Sequence, residues 1–174
     1  MKIADIMKRD VEICGPDDNV ATAASRMWDG DLGCIPVVAE NGQVMGMVTD
    51  RDICMAALTR GRPLQEIPVT AAMSKEIFSC PPDATLIEAE EIMRAGQVRR
   101  LPVIDSDSCL VGIVSLGDLA HLAGHQIGRK NRDVSAQEVV ATLAAVCEPR
   151  RGPVGRFQIQ RPKRARPPST SAEH

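Results

Sequence analysis

The feature that most constrains the fold of this chain is an internal repeat. Residues 7–53 align with residues 73–119 at a constant offset of 66 without a gap, and twelve of the 47 aligned positions are identical. Chance at average composition would give about three identities. A unit of this length buries too little apolar surface to be stable alone, so two units are expected to share a core.

Each unit is predicted to fold as strand–helix–strand–strand–helix. Asn41-Gly42 is a strong signal for a tight turn between two strands, and Gly30 is placed to end the preceding helix. The predicted elements of the first unit are a strand over 11–14, a helix capped by Asp18 or Asn19 with the apolar stripe Val20, Ala23, Ala24 and Met27, strands over 34–38 and 44–49, and a helix over 50–60.

The second unit repeats this order. Thr85 and Glu88 form a capping box for a helix that ends at Gly96. Strands over 101–104 and 110–114 and a helix over 115–122 follow. The predicted fold class is therefore α/β, of the α+β type, with two β-α-β-β-α repeats related by a pseudo-twofold axis and matching clefts where they meet.

Two motifs, each present in both units, carry a family resemblance. The first unit reads IPVV and then GMVTDRDI, and the second reads VRRLPVI and then LVGIVSLGDL. Over about residues 1–122 the chain resembles a tandem CBS-domain pair, or Bateman module, and is similar to short stand-alone bacterial proteins of the hypoxic-response type. The resemblance implies a non-catalytic sensor of adenosine-containing ligands (AMP, ADP, ATP, S-adenosylmethionine or sometimes NAD), with no required cofactor, a homodimeric state and a protein effector.

The family motif G-h-x-[T/S]-x-x-[D/N] matches at residues 46–52 and 112–118. In such a motif the carboxylate of Asp52 or Asp118 can accept hydrogen bonds from ribose hydroxyls. The hydroxyl of Thr49 or Ser115, with free amides at a helix start, favours phosphate. The same spacing is also that of a helix capping box, and both roles can coexist.

The two predicted clefts differ in their basic residues. Arg51 in the first motif corresponds to Gly117 in the second, and Arg99-Arg100 correspond to Gly33-Cys34. The resemblance places basic residues at this strand against phosphate, so the second cleft is the better candidate for a phosphorylated ligand. The predicted ligand-binding residues are Thr49, Arg51 and Asp52 in the first cleft, Arg99, Arg100, Ser115 and Asp118 in the second, and Ile35, Met47, Leu101 and Ile113 against adenine; the last four are alternatively core residues.

Other functional classes have little support in the sequence. No P-loop, GxGxxG or nucleophile motif occurs, so no enzyme is expected. His121 and His125 with Asp118 could form a metal site on one helical face, but a fourth ligand is lacking. Six widely spaced cysteines give neither a zinc motif nor a disulfide framework. The remaining alternative is a ligand-free dimeric interaction or stress-response protein with degenerate clefts.

The predicted organisation is CBS repeat 1 over 1–62, repeat 2 over 63–125, a linker and helix over 126–148, and a basic Pro/Arg-rich tail over 149–174. The tail has seven basic side chains against the single carboxylate of Glu173, so it carries +6 and residues 1–148 carry −8. We expect a disordered tail, with nucleic-acid contact as the alternative. The chain has only three aromatic residues, too few for a platform that stacks bases. With charges in the opening MKIADIMKRD and no long apolar run, a cytoplasmic protein without membrane contact is expected.

Overall fold

The structure is a computed structural model that describes residues 1–127 and 133–149. It confirms the mixed α/β fold of two repeats. The helices and strands in chain order are α1 (Val20–Asp29), β1 (Cys34–Val38), β2 (Val44–Thr49), α2 (Asp50–Arg60), α3 (Leu86–Gly96), β3 (Arg100–Ile104), β4 (Leu110–Ser115), α4 (Leu116–His125) and α5 (Ala136–Cys147). Single turns of 3₁₀ helix lie at Ile3–Asp5, Leu64–Glu66 and Val69–Ala71.

Each repeat contains an antiparallel β-hairpin, β1 with β2 and β3 with β4. The registers correspond at the offset of 66, and both hairpins have an irregularity at the same place, Val37/Val38 and Val103/Ile104. Gly42, at the predicted turn, has φ +86°, a conformation that favours glycine. The hairpin tips of the two repeats meet, since Gln43 bridges Cys109.

The first predicted strand of each repeat is shorter than expected. It consists of one parallel bridge, Cys14 to Val37 in the first repeat and Cys80 to Val103 in the second. The Cys14 amide donates to the Pro36 carbonyl (2.9 Å), and the Cys14 carbonyl accepts from the Val38 amide (2.8 Å). Pairing ends there because Gly15-Pro16 turns the chain, and proline has no amide hydrogen to continue a ladder.

The segment that begins each repeat crosses to the sheet of the other repeat. Lys8 and Ile113 exchange backbone hydrogen bonds of 2.9 Å in both directions. Their counterparts, Ser74 and Met47, exchange bonds of 2.8 and 3.1 Å. Both crossings relate to each other through the offset of 66, so the two repeats are arranged about a pseudo-twofold axis.

The hydrophobic cores follow this exchange. Ile3 and Met7 are buried in the core of the second repeat with Leu101, Val114 and Leu119. Ile67 and Val69 are buried in the core of the first repeat with Ile35, Val48 and Ile53. Each core therefore uses residues from both sides of the predicted boundary between 1–62 and 63–125.

The helix caps predicted at Asn19 and Thr85 are confirmed, and α5 begins with a cap as well. Asn19 Oδ1 accepts from the Thr22 amide (3.0 Å), so Asn19 caps α1. Thr85 with Glu88 and Ser135 with Glu138 form reciprocal capping boxes at α3 and α5. α5 packs against α3 and α4. The tail predicted to be disordered lies, from residue 150 on, outside the described residues.

None of the described helices has both the length and the apolar character that crossing a bilayer requires.

Candidate functional site

The Thr49–Asp52 pair lies at the junction of β2 and α2. Thr49 ends β2, and its hydroxyl is 2.7 Å from Asp52 Oδ2, which also accepts from the Thr49 amide (2.9 Å). The Asp52 amide donates back to Thr49 Oγ1 (3.2 Å). The pair is therefore a capping box, and within the described residues Asp52 Oδ1 has no hydrogen bond or ion pair. One carboxylate oxygen fixes the helix and the other is available.

The Ser115–Asp118 pair has the same geometry at the junction of β4 and α4. Ser115 Oγ is 2.6 Å from Asp118 Oδ2, and the Ser115 amide donates to the same oxygen (2.8 Å). Here Oδ1 faces a cation, since Lys8 Nζ lies 3.8 Å from it. Lys8 is largely exposed, so this ion pair is weak.

The motif glycines are explained by the crossing segments. A Cβ atom on Gly46 would lie 2.6 Å from the Ser74 carbonyl oxygen, and one on Gly112 would lie 2.9 Å from the Lys8 carbonyl oxygen. These distances are shorter than Cβ contacts in proteins. The glycines therefore admit the backbone of the other repeat at close distance.

The four predicted apolar ligand contacts lie on two different faces of the hairpins. Ile35 and Leu101 are fully buried within the two cores, so a ligand could reach them only by opening the core. Met47 and Ile113 are partly exposed and pair with Pro36 and Pro102. Since side chains alternate along a strand, these pairs lie on the opposite face. Pro36 and Pro102 are themselves buried, so Met47 and Ile113 are the accessible members of the predicted apolar set.

Arg100 extends across the boundary between the repeats. Its Nη1 and Nη2 atoms lie 3.5 and 3.6 Å from the position that a Cβ on Gly33 would occupy. Burial raises the pKa of the neighbouring Cys34 thiol, and the Arg100 guanidinium beside it partly offsets this increase. The carbonyl of Gly33 accepts from the Asp50 amide at the start of α2 (3.4 Å). The Arg100 charge is therefore directed toward the first repeat, although its sequence position belongs to the second.

The other basic candidates divide between the two helix starts. Arg51 is exposed in the first turn of α2. Arg99 is exposed and adjoins the start of α4, because its carbonyl accepts from the Leu116 amide (2.9 Å). With Lys8 beside Asp118 and Arg100 beside Gly33, each helix start has two nearby cations.

Sequence reasoning missed Lys8 and Ser74, which border the motifs from the other repeat. The signal was available, because the alignment at offset 66 begins at Met7 and Met73, immediately before them. What the alignment could not show is that each segment crosses to the opposite sheet.

The two histidines outside the repeat motifs stack on each other. The rings of His121 and His125 are 6.4 Å apart between centroids and border a surface concavity of about 440 Å³ with Ala120 and Gly124. In the part of the chain that the structure describes, no three His, Cys, Asp or Glu side chains come together as metal ligands would. Another concavity, of about 560 Å³, borders α3 and is lined by Pro81, Asp83, Ala84, Glu88, Glu91, Ile92 and Ala95. Both concavities lie outside the motifs.

Comparison with known proteins identifies the family. The CBS-domain model matches twice, at residues 3–59 and 66–125. The chain belongs to the CBS-domain family. These two matches cover both repeats and include the motif pairs at the starts of α2 and α4.

The CBS pair is similar over most of its length to short proteins of the same kind. CBS domain-containing protein YhcV of Bacillus subtilis is 39% identical over 139 residues, which are 79% of this chain and 97% of that protein. Hypoxic response protein 1 of Mycobacterium tuberculosis is 32% identical over 146 residues, 83% of this chain and 93% of that one. A crystal structure of Hypoxic Response Protein I with two coordinated zinc ions superposes with a TM-score of 0.64 at 31% identity, covering 70% of this chain and 98% of that chain.

Two solved structures with the same fold contain adenosine compounds. CBSX2 in complex with AMP has a TM-score of 0.63 at 24% identity, covering 74% of this chain and 98% of that one. The CBS pair of MJ0100, in complex with 5-methylthioadenosine and S-adenosyl-L-methionine, has a TM-score of 0.63 at 21% identity, covering 70% and 98%. At these identities the likeness shows the fold alone.

Proposed function

We propose that this CBS pair is a non-catalytic regulatory module that binds an adenosine-containing ligand (AMP, ADP, ATP or S-adenosylmethionine) between its repeats. The observation that carries the proposal is the duplicated pair of hydroxyl and carboxylate, Thr49–Asp52 and Ser115–Asp118. In both pairs Oδ2 is used for capping. Oδ1 of Asp52 remains for an outside partner, and Oδ1 of Asp118 has only the weak ion pair with Lys8. A vicinal diol such as ribose suits these oxygens because a carboxylate oxygen can accept two hydrogen bonds.

The surroundings of each pair suit the rest of such a ligand. The exposed faces of Met47 and Ile113 provide apolar surface for an aromatic base, and the starts of α2 and α4 provide amides and a positive dipole for phosphate. Arg51 and Arg100 add positive charge at the first site, and Lys8 and Arg99 add it at the second. Thus both sites suit an anionic ligand. The positive charge at the first site includes that of Arg100, which belongs to the second repeat.

The proposed signal passes through the crossing segments. A ligand at Asp52 or Asp118 lies beside a segment that belongs to the other repeat, so binding changes the relative stability of alternative repeat packings. A protein effector that distinguishes these packings would then respond to the ligand through a population shift.

The proposal can be tested by calorimetric titration of the wild type and of the Arg100→Gln variant, each with AMP and with adenosine. We expect both ligands to bind to the wild type. Arg100→Gln should lower the affinity for AMP by roughly 10- to 100-fold, since a hydrogen bond to a charged group contributes about 1.5–3 kcal/mol. Adenosine should be little affected because it has no phosphate. Arg62→Gln is the control, because Arg62 pairs with Glu66 in the linker.

Two results would count against this proposal. Equal losses of affinity for AMP and adenosine in Arg100→Gln would show that Arg100 does not contact the phosphate. No heat with AMP, ATP or S-adenosylmethionine, together with no nucleotide retained in native mass spectra, would favour the alternative of an interaction protein with empty clefts.

A homodimer through the exposed side of α1 and α2 completes the proposal. Trp28 on α1 is 87% exposed, and Met55 and Leu58 on α2 are exposed as well. The counterpart of Trp28 in the second repeat is Arg94, which bonds to Thr142 of α5 (3.4 Å). A helix therefore covers this side of the second repeat, while the equivalent apolar side of the first has no partner among the described residues. We assign a second copy of the chain to it.

Trp28→Glu is expected to raise the dimer dissociation constant by roughly 30-fold or more, because buried interface tryptophans commonly contribute at least about 2 kcal/mol. Sedimentation velocity over a concentration series measures this change. Leu143→Glu, on the exposed side of α5, is the matched control. If Leu143→Glu dissociates the dimer and Trp28→Glu does not, the interface lies at α5 instead of at α1 and α2.

A further inference from the structure

α5 is an addition to the duplicated fold, and it lies over a charged group. It packs along α3 and α4 with Val139 and Thr142 buried, and it has no counterpart at the first repeat. Beneath it lies Glu90 of α3, which is only 1% exposed. The equivalent residue of the first repeat is Ala24, so the carboxylate is not a requirement of the repeat fold.

Glu90 is incompletely satisfied in this position. Its Oε1 atom has no hydrogen-bond partner within the described residues. The charges that act on it are those of Arg94 on its own helix and Glu138 on α5. The titratable residues of α4, which also packs against α5, are Asp118, His121 and His125, and all three are at least partly exposed. A buried carboxylate with an unpaired oxygen favours the protonated, neutral form.

Beside the apolar packing of Val139 and Val146 on the core of the second repeat, α5 makes polar contacts with the repeats. Arg94 Nη1 lies 3.4 Å from Thr142 Oγ1, and Gln97 Nε2 donates to the carbonyls of Ala145 (3.3 Å) and Glu148 (3.0 Å). Gln126 and Asp133 bond to each other before the helix begins, with distances of 2.8 and 3.0 Å. These polar contacts can be exchanged for water at little cost, so the apolar packing of α5 and the state of Glu90 determine how firmly the helix is docked.

We propose that α5 is a proton-sensitive cap on the α3–α4 surface, docked when Glu90 is protonated and weakened in its docking when Glu90 is charged. Release would expose the surface that corresponds to the apolar side of α1 and α2 in the first repeat. The cap therefore controls access to this side of the second repeat, independently of any ligand in the clefts.

The direction of the pH effect follows from the environment of Glu90. Burial, with a smaller contribution from Glu138, raises its pKa, while Arg94 and Thr142 oppose the increase. The docked state therefore binds the proton more tightly than the released state does. Docking of α5 is strongest when the pH lies below the pKa that Glu90 has in the released state. As the pH rises further, the equilibrium constant for docking falls by up to tenfold per pH unit, until the pH passes the pKa that Glu90 has in the docked state.

Hydrogen–deuterium exchange of the full chain from pH 5 to 8 tests the proposal, with rates divided by the intrinsic rate at each pH. We expect the protection of residues 136–147 to fall relative to that of α1 as pH rises. The Glu90→Gln variant keeps the shape of the side chain and removes its charge. Its protection of residues 136–147 at pH 7.5 should exceed that of the wild type by about tenfold for each unit by which docking raises the pKa of Glu90. It should also become independent of pH.

Glu91→Gln, on the exposed neighbouring position, should behave as the wild type. Protection of α5 that is independent of pH in the wild type would overturn the proposal without reference to any variant. A pH dependence that is unchanged in Glu90→Gln, or shared by Glu91→Gln, would overturn the role of Glu90.

Discussion

Replacing both Asp52 and Asp118 by alanine is expected to abolish nucleotide binding, with affinity at each site lowered by at least about 100-fold. Each carboxylate would lose its hydrogen bonds to the ribose diol, and hydrogen bonds to charged groups contribute about 1.5–3 kcal/mol each. Calorimetry with AMP at protein concentrations near 100 times the wild-type Kd would detect residual binding. Undiminished affinity in the double variant would show that the motif carboxylates have only their capping role.

This experiment needs a control for helix capping, because each aspartate also caps a helix. Loss of a capping residue alone costs about 0.5–2 kcal/mol of stability. Glu88 closes the same type of capping box with Thr85 at the start of α3, outside both motifs, and its pKa is lowered by the backbone and side-chain hydrogen bonds from Thr85. Glu88→Ala should therefore lower stability to a similar extent and leave the affinity for AMP unchanged.

Gly46→Ala is expected to destabilise the whole protein. The added methyl group would lie 2.6 Å from the Ser74 carbonyl oxygen and 2.8 Å from Met73 Sδ, and the first of these is backbone that cannot move aside. Overpacking of this kind costs about 1–3 kcal/mol or more. We expect the melting temperature measured by calorimetry to fall by about 3–10 °C.

Gly124→Ala is the matched control for this substitution. Gly124 is exposed within α4, and a Cβ atom there would contact nothing within 4 Å. Since alanine favours a helix over glycine by about 1 kcal/mol, this variant should be slightly more stable than the wild type. A melting temperature for Gly46→Ala equal to that of the wild type would contradict the close crossing of Ser74.

The secondary structure was predictable because it depends on local signals. The turn at Asn41-Gly42, the capping box at Thr85 and the apolar stripe that includes Val20 each depend on residues within a few positions of one another. The duplication then supplied the symmetry. The exception was the first strand of each repeat, where a short β-prone run could not reveal that only Cys14 or Cys80 pairs.

The candidate site was predictable in its motifs and not in its assembly. Asp52 and Asp118 were identified through their match to the family motif, and the structure places each in the first turn of a helix. Arg100 is predicted to serve the second cleft from the position of its backbone, and the sequence could not show that its long side chain extends to Gly33 of the other repeat. For Ile35 and Leu101, the pattern could not decide which face of a fully apolar strand meets the core.

The exchange of the opening segments has a consequence for how this protein folds. Since Ile3 and Met7 complete the core of the second repeat, the chain must close a loop of nearly its whole folded length before that core is full. Such distant contacts slow folding and join separate parts into one cooperative transition. The two repeats are thus expected to fold as one cooperative unit, although their sequences are duplicates.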